Sequence, residues 1–111
     1  MKKLLLAGLA IGAAFQMGWI GDSSPELPEF AAAYDDKVVL YATDWCGYCA
    51  KTRELLAENE IPYTEYDIEK SAQGKSEYDQ LNGQGIPLLL IDGDVVRGYR
   101  ANDILRLADN I

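Results

Sequence analysis

Hydrophobic and polar residues alternate in blocks along the chain, and these blocks predict an order of strands and helices. Residues 37–42 contain Val38-Val39-Leu40-Tyr41, four β-favouring residues in succession, which is typical of a central strand covered on both faces. Residues 47–59 then follow a helical period. The inner face predicted for this helix consists of Cys49, Thr52 and Leu56, with Leu55 beside them.

The middle of the chain predicts a second strand and a second helix. Residues 63–68 alternate between apolar and polar side chains, as a half-buried strand does. Residues 71–82 give a weaker helical pattern, because Gly74 interrupts it and only Tyr78 and Leu81 supply a clear apolar pair.

A β-hairpin and a last helix complete the predicted order. Residues 88–91 form a buried-strand run, and Asp92-Gly93 is a tight-turn signal that leads into Val95-Val96. Asn102 is the predicted N-cap of the final helix, whose apolar face consists of Ile104, Leu107, Ala108 and Ile111. We therefore predict an α/β fold with a four-stranded mixed sheet and helices on both faces.

The N-terminal segment is a separate unit with a basic flank and a long apolar run. Lys2 and Lys3 precede seventeen uncharged residues from Leu4 to Ile20, close to the roughly 17 to 25 needed to span a bilayer. The small residues that signal cleavage are poorly placed, so for residues 1–21 we favour a signal anchor that forms a hydrophobic helix over a removed signal peptide. The lysines favour the cytoplasmic side, which places the domain on the other side, the periplasmic one.

Residues 22–36 have the composition of a linker. Pro25 and Pro28 block a continuous helix, and Asp, Ser and Glu are frequent. The stretch is either a disordered tether or contains a short helix, formed by Phe30 to Tyr34, that lies against the domain.

The charge of the chain disfavours anionic partners. The formal net charge is -8, and all 18 acidic residues follow Gly21, where they are accompanied by 8 of the 10 basic residues. Such a field repels phosphate backbones, so we expect no nucleic acid partner. The chain has no histidine, which removes the commonest general base and metal ligand.

Both cysteines of the chain lie in Cys46-Gly47-Tyr48-Cys49, at the predicted start of the first helix. Two thiols without an imidazole are too few for a tetrahedral metal site within one chain. A structural disulfide that closes so short a loop would constrain the unfolded chain little. The placement favours a redox dithiol, because the free N–H groups at the start of a helix stabilise a thiolate at Cys46.

The two thiols are predicted to have different roles. Cys46 is the attacking sulfur, and the buried Cys49 resolves the mixed disulfide that forms on Cys46. Trp45 and Tyr48 flank the pair and act either as apolar walls for the substrate or as core residues. Because histidine is absent, the candidate proton acceptors for Cys49 are Asp44, Glu65 and Asp67. Lys51 and Arg53 follow on the helix, and we expect ordinary surface positions for both.

From about Lys37 to Ile111 the chain resembles the glutaredoxin family, whose members have the thioredoxin fold. The motifs that carry the resemblance are Val39-Leu40-Tyr41, Cys46-Gly47-Tyr48-Cys49, Leu55-Leu56, Ile61-Pro62-Tyr63, Asp67-Ile68, Gly85-Ile86-Pro87 and Gly98-Tyr99. The resemblance implies a glutaredoxin-like domain over residues 37–111, a cis peptide before Pro87, and a substrate chain that pairs with the Ile86 backbone. Read locally, Pro87 is also compatible with an ordinary proline that begins a strand. The substrate-binding residues implied are Trp45, Gly47, Tyr48, Ile86 and Pro87.

The chain departs from the family at the positions that would bind glutathione. Thr43 replaces a lysine that pairs with a glutathione carboxylate, and Arg97-Gly98-Tyr99-Arg100-Ala101 replaces a Gly-Gly and acidic sequence. Each lost charge-assisted contact costs ~1.5 to 3 kcal/mol, so glutathione is expected to bind weakly at best. We expect no bound cofactor and no metal.

These observations predict a membrane-tethered, monomeric thiol–disulfide oxidoreductase that acts on protein disulfides, with a membrane protein as electron donor or acceptor. The alternatives are a glutathione-dependent glutaredoxin, a glutaredoxin-like dimer that holds an iron–sulfur cluster, and a non-catalytic tethered adaptor whose acidic face binds a basic partner.

Overall fold

The computed structural model describes residues 27–111. The hydrophobic helix predicted within residues 1–21 and the first five residues of the linker lie outside the described residues. Within 27–111, none of the helices has both the length and the apolar character needed to cross a bilayer.

The described residues form a mixed sheet with helices on both faces. The strands are β1 (Val38–Ala42), β2 (Thr64–Asp67), β3 (Leu88–Ile91) and β4 (Asp94–Arg97); the helices are α1 (Gly47–Glu58), α2 (Ala72–Gln80) and α3 (Ala101–Asp109). The strand order is β2-β1-β3-β4, with β1 parallel to β2 and antiparallel to β3. The predicted four-stranded mixed sheet is confirmed.

Strand β1 is central, and its side chains divide the core into two parts. Val38, Leu40 and Ala42 pack with α1 and α3 on one face of the sheet. Val39 and Tyr41 pack on the other face with α2. Because both faces are covered, all five residues of β1 are buried, as its unbroken apolar pattern predicted.

The predicted hairpin between β3 and β4 is confirmed. Asp92 and Gly93 both have positive φ angles, 47° and 87°. Two such residues between antiparallel strands match the right-handed twist of a hairpin, and glycine adopts this conformation without strain.

The final helix begins earlier than the sequence predicted. Arg100 occupies the N-cap position without a side-chain hydrogen bond, and the N–H of Ile104 donates to the Arg100 carbonyl at 2.9 Å. Asn102 already lies inside the first turn, so its prediction as the N-cap is wrong. Ile111, predicted on the inner face, lies beyond the helix and is exposed.

The linker ends in a short helix that packs on the domain. Glu29–Tyr34 form a 3-10 helix in which Ala31 is buried. The Tyr34 hydroxyl lies 2.9 Å from the Tyr66 hydroxyl of β2 and donates to the Glu77 carboxylate of α2. The alternative of a short helix against the domain is confirmed for this part of the chain.

The topology brings two loops together at one end of the sheet. Tyr41, near the end of β1, pairs with Leu88, the first residue of β3. The segment that follows β1 and carries the cysteines therefore lies beside the segment that precedes β3 and carries Ile86-Pro87.

Candidate active site

Cys46 is the N-cap of α1, which is the position that the sequence predicted. Its backbone is extended, and its Sγ accepts a hydrogen bond from the N–H of Cys49 at 3.1 Å. The side chain is 8% exposed, whereas Cys49 is fully buried. Both cysteines are free thiols. The less buried cysteine, which also lines a surface groove, is thus the one whose sulfur faces the N–H groups of the first helical turn.

Cys49 is a protonated thiol at neutral pH. Burial, and next the hydrogen bond with Cys46, raise its pKa to about 12. The Thr43 backbone and the Arg53 charge act in the opposite direction. The two thiols are therefore chemically unequal, as a nucleophile and a resolving thiol need to be.

The Ile86–Pro87 peptide is cis, as the resemblance implied. Pro87 is buried, and its carbonyl accepts a hydrogen bond from the N–H of Gly98 at 2.8 Å. Ile86 is partly buried and packs against both halves of the core. This loop forms one side of the surface around the dithiol.

An apolar groove of about 470 Å³ lies over Cys46. Its lining residues are Trp45, Cys46, Gly47, Tyr48, Lys51 and Ile86. Trp45 is 69% exposed and Tyr48 is 60% exposed, so neither is a core residue. The groove unites four of the five predicted substrate-binding residues, while Pro87 is buried and is not among its lining residues.

Aromatic and charged contacts hold the walls of the groove. The rings of Tyr48 and Tyr99 stack at 6.1 Å and 23°, and the Lys51 Nζ lies 5.8 Å from the Tyr48 ring. The Trp45 Nε1 donates to both carboxylate oxygens of Glu69 at 3.1 Å. Sequence reasoning assigned no role to Tyr99 or Glu69; the Gly98-Tyr99 motif was the available signal for the first.

Asp44 is an exposed residue whose carboxylate is bound to a lysine. Its carboxylate pairs with Lys70 at 2.5 Å, and this hydrogen bond, together with the charge of Lys70, lowers the pKa of Asp44. Asp67 accepts hydrogen bonds from the backbone N–H groups of Glu69 and Lys70. The predicted proton-acceptor role is thus unsupported for Asp44 and Asp67.

Glu65, the remaining candidate, binds Arg53. The Arg53 Nη2 lies 2.7 Å from Glu65 Oε2, and Nε donates to both oxygens at 3.0 and 3.1 Å. The same Nη2 donates to the Thr43 carbonyl at 3.1 Å. Arg53 is only partly exposed and lies against the segment that leads to the dithiol, so the expected ordinary surface position is wrong for this residue.

The described residues contain no group of three or more cysteine, aspartate or glutamate side chains arranged to hold a metal ion.

Comparison with known proteins connects this site to a family. Residues 38–96 match the family model described as glutaredoxin. The chain is 27% identical over 73 residues to an uncharacterized glutaredoxin-like 8.6 kDa protein in a rubredoxin operon of Clostridium pasteurianum, covering 65% of this chain and 97% of that protein.

Two solved structures are similar to the described domain. The thioredoxin-like protein BC3987 has a TM-score of 0.61 at 28% identity, with 64% of this chain and 99% of that chain covered. The glutaredoxin-like protein NrdH-redoxin of Escherichia coli, whose structure is described as the basis of a thioredoxin-like activity profile, has a TM-score of 0.59 at 14% identity. That match covers 64% of this chain and 93% of that chain.

Proposed function

The chain belongs to the glutaredoxin family, and on that basis we propose that it is a thiol–disulfide oxidoreductase that acts on protein disulfides through Cys46 and Cys49. The observation that carries the proposal is the asymmetry of the dithiol. The Cys46 sulfur faces the first-turn N–H groups of α1, while Cys49 is fully buried three residues later.

Reduction of a substrate takes place in two exchange steps. The Cys46 thiolate attacks one sulfur of the substrate disulfide, forms a mixed disulfide and releases the other sulfur as a thiolate, which takes a proton from water. Cys49 then loses its proton and attacks the Cys46 sulfur. The Cys46–Cys49 disulfide forms, the bond between Cys46 and the substrate breaks, and two electrons have passed to the substrate. The reverse sequence oxidises a substrate dithiol.

An extended segment of a protein is the substrate that suits the groove. Trp45 and Tyr48 offer exposed aromatic surface next to Cys46, and Ile86 closes the groove on the cis-proline side. A substrate chain that pairs with the Ile86 backbone gains main-chain hydrogen bonds, and an apolar residue beside its cysteine covers the aromatic walls. Trp45, Gly47, Tyr48, Ile86 and Pro87 thus form the substrate site in this proposal.

Glutathione is a poor substrate in this proposal. Thr43 is buried, so its side chain is not presented to a ligand, and Tyr99 stacks on Tyr48 where the family has glycine and acidic residues. Arg100 would face the ammonium of glutathione with like charge. In this proposal the domain works as a monomer without a bound cofactor and exchanges electrons with a membrane protein that acts as donor or acceptor.

The location of the domain follows from the N-terminal segment. Residues 1–21 anchor the chain in the membrane, residues 22–36 link the anchor to the domain, and the dithiol acts on the periplasmic side beside a membrane electron partner. If the segment is cleaved, the domain is free in the periplasm. Membrane fractionation of the full chain tests this: recovery only with the cytoplasmic proteins would contradict it.

The proposed activity is tested with insulin as the disulfide substrate and dithiothreitol as the electron source. Cys46→Ser should abolish catalysed reduction. Cys49→Ser, reduced and then freed of dithiothreitol before it is mixed with insulin, should instead accumulate a mixed disulfide with the substrate, visible as an added mass that a reductant removes. Undiminished activity of Cys46→Ser would contradict the proposal.

The same assay decides whether glutathione is the physiological reductant. Glutathione in place of dithiothreitol should support little turnover in the wild-type protein. Turnover at equal rates with either reductant would favour the glutathione-dependent alternative.

A further inference from the structure

Arg53 connects helix α1, which carries the resolving cysteine, to the sheet. It lies four residues after Cys49 on α1, which places both side chains on neighbouring positions of one helix face. Its guanidinium is held between the Glu65 carboxylate of β2 and the carbonyl of Thr43, the residue that follows β1. Two elements thereby fix the position of one positive charge behind the dithiol.

Among the residues that the structure describes, neither a histidine nor an unpaired candidate carboxylate serves Cys49 as a base. The chain contains no histidine. Of the three candidate carboxylates, Asp44 binds Lys70, Glu65 binds Arg53, and Asp67 binds backbone N–H groups. Besides burial, the groups that shift the pKa of Cys49 are Cys46 at the start of α1, the Thr43 backbone after β1, and Arg53, which is bound to Glu65. Arg53 is the cation in this set.

We propose that Arg53 is a positioning residue for the resolution step, where its fixed positive charge stabilises the Cys49 thiolate while its bond to the Thr43 carbonyl orients the backbone beside that sulfur. This inference rests on the proposed function. Glu65 has the opposite effect, because its negative charge offsets the guanidinium that it holds.

The step that Arg53 assists is the second exchange. The Cys49 thiol releases its proton to solvent, the thiolate forms a bond to the Cys46 sulfur, and the bond between Cys46 and the substrate sulfur breaks. The released substrate thiolate takes a proton from water, so atoms and charges balance. Arg53 neither gains nor loses a proton in the sequence.

Two explanations of the Arg53–Glu65 pair, one by its charge and one by its support of the loop, predict opposite effects of Glu65→Gln on the rate of resolution. If the pair only holds the loop, loss of either partner loosens the Thr43 backbone and slows resolution. If charge is decisive, Glu65→Gln leaves the positive charge of Arg53 uncompensated and speeds resolution, whereas Arg53→Met slows it. Arg53→Lys keeps the charge and loses the fork geometry.

The experiment follows single turnovers with dithiobis(nitrobenzoate), a chromogenic aromatic disulfide, by stopped-flow absorbance. The first thionitrobenzoate is released when Cys46 attacks, and the second is released when Cys49 resolves the mixed disulfide. We expect Arg53→Met to slow the second release by about three- to tenfold at pH 7 and to shift its pH profile to higher pH, with the first release nearly unchanged. Glu65→Gln should speed the second release, and Arg53→Lys should stay within about twofold of the wild type.

Equal slowing by Arg53→Met and Glu65→Gln, or no effect of either, would overturn the role of Arg53. Circular dichroism checks the fold of each variant, and if Arg53→Met does not fold, the direction of change in Glu65→Gln decides the question. Release of a single equivalent by the wild-type protein would instead contradict the proposed function itself, so the two failures are distinguishable.

Discussion

Glu77 is a buried carboxylate whose partners are phenols and an amide instead of a cation. The Tyr41 hydroxyl donates to it at 2.7 Å, Tyr34 at 3.2 Å and Gln73 at 2.9 Å. Burial removes most of the hydration energy of a carboxylate, and these hydrogen-bond donors compensate for part of that loss. This cluster lies on the face of the sheet opposite α1, where it joins the 3-10 helix, β1 and α2.

Removal of one donor from this cluster should lower the stability of the domain. Tyr41→Phe keeps the ring and its stacking on Tyr66 but leaves the charged acceptor with fewer bonds. We expect the free energy of unfolding to fall by about 1.5–3 kcal/mol, as measured by urea denaturation at pH 7. Tyr48→Phe, at an exposed tyrosine, is the control and should change the stability by less than about 0.5 kcal/mol. Equal effects of the two substitutions would contradict this account of the cluster.

The same tyrosines should make the domain sensitive to alkali. The phenol pKa values of Tyr41 and Tyr34 are both raised in the folded state. Burial is the largest cause for each residue, followed by the hydrogen bond to Glu77 for Tyr41 and the hydrogen bond to Tyr66 for Tyr34. A raised pKa contributes stability that is complete below the unfolded value of about 10 and is lost as the pH rises above it. The free energy of unfolding should therefore fall as the pH rises above about 10, and less steeply in Tyr41→Phe. Identical slopes in the two proteins would exclude this origin.

At the residue scale, the sequence identified the dithiol and most residues of the groove above it, but not the hydrogen-bonded and ionic contacts of its charged residues. Cys46, Cys49 and the Ile86-Pro87 pair stand in short motifs whose spacing is visible in one dimension. Arg53, Glu65 and Glu77 carry no such signal, because their roles depend on which charges and phenols two different elements bring into contact. A charged residue in an acidic chain is usually solvated, and only the packed structure distinguishes the exceptions.

Helix α2 continues through a glycine that made its prediction weak. A Cβ on Gly74 would lie 2.5 Å from the Cβ of Tyr66, closer than real contacts allow. The glycine therefore permits α2 to pack closely on β2, and the loss in helix propensity is offset by this contact. Gly47, in the first turn of α1, has no atom within 4 Å of its hypothetical Cβ.

These two helical glycines should respond in opposite directions to alanine. Gly74→Ala should destabilise the domain by about 1–3 kcal/mol, because α2 must move away from Tyr66. Gly47→Ala should be neutral or stabilising by up to about 1 kcal/mol, since alanine favours helices and meets no obstacle there. Thermal and urea denaturation measure both. A stabilised Gly74→Ala protein would show that α2 does not depend on this close approach.

At the element scale, pattern predicted the strands and helices better than their ends. The hairpin was predicted from the Asp92-Gly93 turn. The buried strands β1 and β3 were predicted from their unbroken apolar runs. The start of α3 was misplaced because Arg100 lacks a capping side chain, while Asn102 has one and lies within the helix. A cap preference is a small energy that the packing of Ile104 against the sheet overrides.

At the scale of the whole molecule, an acidic surface surrounds a site with a local cation. The net charge of the chain is -8, while Lys51 lies in the wall of the groove over the ring of Tyr48. The overall field attracts cationic substrates during diffusion, and Lys51 opposes it at contact. The long-range effect is screened by salt, with a Debye length of ~30 Å at 0.01 M and ~3 Å at 1 M.

Charged alkyl disulfides separate these contributions. The rate constant for the reaction of Cys46 with cystamine, a dication, should exceed that with dithiodipropionate, a dianion, by a larger factor at 0.01 M salt than at 1 M salt. We expect this ratio to fall by about three- to tenfold over that range, because only the long-range attraction is screened. Lys51→Gln, the control variant, should raise the ratio at low salt by removing the cation nearest the groove. A ratio that does not vary with salt would show that the acidic surface plays no part in the choice of substrate, and that contacts within the groove alone determine it.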